Sequence, residues 1–178
     1  MEYSTGNEAR KDTYNASLLR LREAKWYAFD LDDTLHGFRK ASSAAVKAVL
    51  EVIHKNSDCA LEELESEYKR ILTQGTSSAF VDGKTSHQYR EDRFRQLLQV
   101  HNINLDDAQM QDLLSLYERV LTENLELKPG ALELLQTLKR RGHKIAVITE
   151  GPQDAQERTV EALGIASCWD IWDFVRKT

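Results

Sequence analysis

Two hydrophobic rhythms alternate along the chain. A short run, Trp26-Tyr27-Ala28-Phe29, is followed at once by Asp30-Leu31-Asp32-Asp33-Thr34. Brief, aromatic-rich and ended by acids, it predicts a buried strand. Before it, 17–24 reads as a short helix or an extension and 1–16 as a flexible N-terminus. From about Ser42 the apolar spacing becomes helical. Val46, Val49, Leu50 and Ile53 form one stripe, and Leu61, Leu64, Tyr68, Ile71 and Leu72 a second. Phe94, Leu97, Leu98 and His101 form a third, and Met110, Leu113, Leu114, Tyr117, Val120 and Leu121 a fourth. Four such helices can bury one another's stripes as a small bundle. Between the second and third, 75–84 is rich in small residues and reads as a loop.

Beyond Pro129-Gly130, Ala131, Leu134, Leu135 and Leu138 predict a fifth helix ended by Gly142. The β-branched run Lys144-Ile145-Ala146-Val147-Ile148-Thr149 predicts a strand buried on both faces. Gly151-Pro152 opens a last helix that runs to Leu163 and stops at Gly164. The order strand, helical insert, helix, strand, helix predicts an α/β fold. Its core would be a Rossmann-like parallel sheet interrupted by an inserted α-helical bundle.

Composition narrows the function classes. The 178 residues suffice for one domain with an insert, and 41% hydrophobic with 30% charged residues is a globular balance. A net charge of -5, from 24 basic and 29 acidic side chains, argues against a nucleic-acid partner. No apolar run approaches the ~20 residues that span a bilayer. Residues 1–15 lack the apolar stretch of a secretory leader, so a cytoplasmic protein is expected. Cys59 and Cys168 are read as small hydrophobes. The histidines at 36, 54, 87, 101 and 143 have no zinc-site spacing.

Asp30 and Asp32 stand two apart at the end of the first strand, which puts both carboxylates on one side. Active sites of open parallel sheets lie outside this end of the strands. Two close carboxylates repel unless a cation or a shared proton lies between them, and hard oxygen donors suit Mg²⁺. One could act as nucleophile and the other as general acid and base. On spacing alone, a polar strand end that caps the next helix explains the pair equally well.

The segment Phe29-Asp30-Leu31-Asp32-Asp33-Thr34-Leu35 resembles the first motif of the haloacid dehalogenase-like (HAD) hydrolases, Asp-x-Asp-x-Thr after an apolar strand. Ile145–Thr149 resembles their second motif, a strand ending in Thr or Ser, and the helix entered through Lys128-Pro129-Gly130-Ala131 also fits. The resemblance implies a partial α/β core over 17–35 and 128–178 and an α-helical cap over 36–127. It implies that Asp30 attacks phosphorus and forms an aspartyl-phosphate. Asp32 would protonate the leaving alcohol and then activate water, and an acid at that position favours phosphoryl transfer over dehalogenation. Thr149 would bind the phosphate together with backbone amides of Glu150 and Gly151. Mg²⁺ would sit on the Asp30 carboxylate and the Asp32 backbone carbonyl, and the substrate would be a small phosphorylated metabolite. Lys84 and Arg90 could meet an anionic substrate, although a solvated charge is the commoner role. His36, just past the first motif, could face the cleft, although a polar turn residue is the commoner role.

The family's third motif is a downstream Lys or Arg, and its fourth is an acidic pair ending a further strand. Lys177 lies at a tolerable distance for the third, although a solvated terminal lysine is the commoner role; Asp170 and Asp173 read as surface or turn residues. The chain is therefore expected to be a shortened family member, its last dozen residues coming from an altered reading frame or splice junction. An exposed sheet edge would then invite self-association. Two functions follow. One is a Mg²⁺-dependent phosphatase. The other is an inactive HAD-fold fragment that binds or regulates through its helical cap.

Overall fold

The computed structural model describes residues 20–21, 23–75 and 83–174. The expectations for 1–16, for much of 17–24, for most of the loop 75–84 and for Lys177 fall outside them. Strand β1 (Trp26–Phe29) leads into four helices, α1 (Phe38–Lys55), α2 (Leu61–Gly75), α3 (Ser86–Val100) and α4 (Asp107–Glu123). Then come α5 (Ala131–Arg140), β2 (Lys144–Thr149), α6 (Gln153–Ala162), a short 3₁₀ turn and β3 (Ile171–Phe174).

Each helix of the bundle has a face to bury, and two of them have a side-chain signal for their start. Thr85 with Gln88, and Asp106 with Gln109, form reciprocal capping boxes at the starts of α3 and α4. The four predicted stripes meet in one cluster around Val49, Leu64, Phe94, Leu97 and Leu114. Helix α1 starts at Phe38, ahead of its expected start near Ser42. A second cluster joins Leu31, Leu135 and Leu138 of α5, Ile145 and Val147 of β2, and Val160 of α6.

The sheet is parallel in the order β1-β2-β3, with Phe29 opposite Val147 and Thr149 opposite Phe174. The third strand corrects the predicted order, which had none after α6. Ile-Trp-Asp-Phe is only four residues long and interrupted by an acid, so its β-prone Ile, Trp and Phe give a weaker strand signal than the unbroken apolar run at 26–29. Register is set by the preceding turn: the Ile145 amide donates to Asp170 Oδ2 at 3.0 Å, and Lys144 pairs with Oδ1 at 3.1 Å. Asp170 is thus an exposed turn residue as expected, whereas Asp173 belongs to a strand.

Burial of the sheet also departs from expectation. Ile145, Val147 and Thr149 are buried, but Lys144 before them and Ile148 between them are exposed, and so are Trp26 and Ile171 at 49% each. Helices α5 and α6 both pack on the Ile145–Val147 face. No described element covers the other face; an apolar run shows that both faces are greasy, not how many helices arrive to cover them. Cys168 is buried, Cys59 half-buried, and both thiols are free. Among the described residues no helix is long and apolar enough to cross a membrane.

The chain passes between the two clusters at 30–37 and again at 124–130, and these segments lie side by side. Gly37 N–H donates to the Glu126 carbonyl at 3.1 Å and Lys128 N–H to that of Leu35 at 2.9 Å. His36 bridges Asp32 on one side and Leu127 on the other.

Candidate active site

Parallel pairing brings Asp30, the residue after β1, to the same end of the sheet as Thr149, the last residue of β2. Fully buried Leu31 anchors the loop, and a turn closes when Leu35 N–H donates to its carbonyl at 3.0 Å. Asp33 takes the left-handed conformation (φ 56°), which Asp tolerates better than most side chains. Its carboxylate pairs with Arg39 at 3.1 Å, and its carbonyl accepts from the Lys128 ammonium.

The two candidate carboxylates are held differently. Thr34 Oγ1 donates to Asp30 Oδ2 at 2.9 Å, while Oδ1 of this exposed side chain has no hydrogen-bond partner among the described residues. Asp32 is clamped at both oxygens: Oδ1 lies 2.9 Å from His36 Nε2, and Oδ2 accepts from Gln156 Nε2 at 3.0 Å.

His36 is therefore no exposed turn residue. Its ring is wholly buried and lies edge-on to Phe38, because the returning segment at 124–130 closes over it. Its spacing of four from Asp32 across a tight turn was the available signal. Gln156, only 3% exposed, was not a candidate at all. Its trace in the sequence is a polar residue on the α6 face that also buries Thr159 and Val160. Gly151 makes room for it: a Cβ there would lie 2.2 Å from Gln156 Nε2.

Asp30, Asp32, Thr149 and Gly151 line a cavity of about 910 Å³ whose remaining wall comes largely from the bundle. Thr149 is 2% exposed and Glu150 exposed. Arg90 lines the same cavity but is not solvated. It is buried, bonded to Glu118 at 2.7 Å, and stacked 4.0 Å over the Tyr117 ring. Lys84, by contrast, is an exposed cation paired with Asp92 at 3.0 Å.

A polar bridge ties the bundle to α6. Ser86 donates through its amide (3.0 Å) and hydroxyl (2.7 Å) to Asp154, while Arg158 bonds Glu118 at 2.7 Å and the Ser86 hydroxyl at 2.8 Å. Burial alone would push the Asp154 carboxyl up. The Ser86 donors and the Arg158 guanidinium outweigh it and hold the group below the ordinary carboxyl range.

Among the described residues no group of three or more His, Cys, Asp or Glu converges as a ready-made metal site. With the Asp32 carboxylate occupied, the protein can offer Asp30 Oδ1 and backbone oxygen. Such a donor set fits Mg²⁺, which keeps several waters and takes substrate phosphate oxygens, and does not fit zinc.

Known proteins agree with this layout. The chain matches the family model of haloacid dehalogenase-like hydrolases over residues 24–177. Among solved structures it is similar to YfnB from Bacillus subtilis, named as a HAD-hydrolase and bound to magnesium, at 25% identity and a TM-score of 0.60. That match covers 84% of this chain and 64% of YfnB. A protein from Thermotoga maritima named as a beta-phosphoglucomutase matches in fold at 21% identity and a TM-score of 0.61, covering 86% of this chain and 64% of that one. The 2-haloacid dehalogenase of Pseudomonas syringae does so at 22% and 0.53, covering 84% and 63%. The chain thus spans somewhat less than two thirds of these proteins. No curated protein sequence matches it significantly. A parallel sheet with an Asp-x-Asp-x-Thr loop at its carboxyl end, a helical cap over that end, and a match across most of the sequence leave one assignment: the chain belongs to the haloacid dehalogenase-like hydrolases.

Proposed function

We propose that this chain hydrolyses a small phosphate monoester with the help of Mg²⁺. One observation carries the reading: two carboxylates at one strand end occupy different environments, Asp30 with an unbonded oxygen at the cavity and Asp32 fixed at both oxygens. Paired acids in unlike settings are suited to unlike roles.

Asp30 Oδ1 attacks phosphorus, and the bond from phosphorus to the alcohol oxygen breaks. For the departing oxygen to take a proton from Asp32, one of the two bonds that hold this carboxyl, to His36 or to Gln156, has to open; the step leaves a phosphoryl group on Asp30. Water then gives its proton back to Asp32 and attacks phosphorus, which frees phosphate and restores Asp30. An alkoxide leaving group needs that proton and a halide does not, so the acid at position 32 favours phosphoryl transfer. The Thr149 hydroxyl and the amides that follow it donate to the phosphate oxygens at the α6 N-terminus. A Mg²⁺ on the Asp30 carboxylate and the Asp32 carbonyl would neutralise charge on the transferred group.

Hydrolysis of p-nitrophenyl phosphate with and without Mg²⁺ tests this reading. Metal-dependent turnover that falls at least ~10³-fold in Asp30→Asn is the expected result. The second reading is a binding protein that keeps the fold and uses its helical cap as the contact surface. It is favoured by the absence of a third converging ligand among the described residues. A folded chain with no turnover would select it.

A further inference from the structure

The cavity is far larger than a phosphate needs. At about 910 Å³ it falls in the range that holds an entire drug-sized ligand. Its walls away from the Asp30 loop are largely apolar, with Val46, Leu72 and Leu121 among them, so the body of the substrate meets hydrocarbon there.

The cations in this wall are not equivalent. Arg39 is bonded to Asp33, while Arg90 and Arg158 share the two oxygens of Glu118 at 2.7 Å each. Arg93 on α3 also lines the cavity, is half-buried, and has no carboxylate partner among the described residues. The nearest acids along its own helix are engaged elsewhere, Glu91 with Arg95 at 2.7 Å and Asp92 with Lys84 at 3.0 Å. A half-buried guanidinium without a counter-ion is a standing cost that an anionic ligand would relieve.

Tyr68 lines the same cavity as Arg93, with its hydroxyl within reach of that guanidinium. The Tyr68 ring is 5% exposed and packs on Phe94 with centroids 5.5 Å apart, so its position is fixed. Burial pushes that hydroxyl up to about 12, which keeps it a hydrogen-bond donor across the physiological range. Guanidinium and phenol together form a donor fork suited to a planar carboxylate.

We infer that Arg93 and Tyr68 form a carboxylate subsite in the cap wall, so that the preferred substrate is a phosphate monoester with an apolar body and a carboxylate at its far end. The placement of the phosphate end rests on the phosphatase reading above; the subsite itself does not.

Kinetics on a series of ω-carboxyalkyl phosphates of increasing length, each paired with its methyl ester, test the inference. At one chain length the acid should exceed its ester in kcat/KM by at least ~10-fold, and Arg93→Met should bring that ratio close to one. Arg95→Met removes an equal charge outside the cavity and should keep the ratio. A ratio near one at every length overturns the inference, as does a ratio that survives Arg93→Met. Should no ester turn over, the phosphatase reading falls while the subsite stays testable by calorimetry. Linear α,ω-dicarboxylates should then bind the wild type at least ~10-fold more tightly than Arg93→Met, with circular dichroism confirming that both are folded. Equal affinities overturn it.

Discussion

Gly151, Gln156 and Asp32 act as one unit. The Gln156 amide reaches Asp32 Oδ2 at 3.0 Å only because nothing projects from Gly151, where a Cβ would stand 2.2 Å from Nε2 and 3.0 Å from Cδ. The atoms in the way are the far end of a side chain, so Gly151→Ala need not disrupt the backbone. It has to displace a buried amide from a carboxylate, and a hydrogen bond to a charged group is worth about 1.5–3 kcal/mol. Gly151→Ala should therefore destabilise the wild type by about 1–2 kcal/mol and do almost nothing in a Gln156→Ala background. Urea denaturation of the four proteins checks the cycle. Equal losses in both backgrounds would mean that the glycine serves the backbone and not the amide.

At the scale of the element, α6 presents Gln156 to Asp32 on one face and carries the bridge to the bundle on another. Its Asp154 accepts twice from Ser86 and pairs with Arg158 at 3.1 Å. Since the folded carboxyl titrates lower than the unfolded one, its stabilisation is fully present above the ordinary value near 3.8 and is lost as pH falls through the lower folded value. Asp154→Asn should cost about 1 kcal/mol near neutrality, or about 2–4 °C in Tm for a chain of this size. The gap between wild type and variant should narrow as the pH is lowered below 4, and a gap that stays constant would show that charge contributes nothing to the bridge. Elements of this kind also mark how far the sequence can be read. Asp30, Asp32 and Thr149 stand in local patterns, at or just past the end of a strand, so they are visible as candidates without a structure. His36 and Gln156 are polar residues whose burial depends on a segment nearly a hundred positions away folding over one of them, and on which way α6 turns the other. Arg90 looks solvated until Glu118, on a different helix, is brought beside it. Spacing encodes faces and ends; it does not encode which polar groups meet once the faces have packed.

For the whole molecule, the decisive feature is that its two clusters are unequally enclosed. The bundle buries its stripes on all four helices around Val49, Leu64, Phe94 and Leu114, each no more than 1% exposed. Among the described residues the sheet is covered on one face only, and Trp26, Ile148 and Ile171 on the other are 49%, 41% and 49% exposed. Between the clusters run two connecting segments and the polar bridge from Ser86 to Asp154, with no continuous apolar seam joining them among the described residues. Local opening free energies follow apolar enclosure, so the sheet should open without the bundle. Native-state hydrogen exchange can resolve this. Amides of β2, including Val147, are expected to exchange through an opening at least about 1 kcal/mol easier than those of Val49 in α1 or Leu114 in α4. An anion bound at the Thr149 end should narrow the difference, because it stabilises only the closed sheet. If both sets of amides exchange at one common free energy, the polar bridge couples the clusters more tightly than their separate cores imply, and the bundle and the Asp30 loop then open as a single unit.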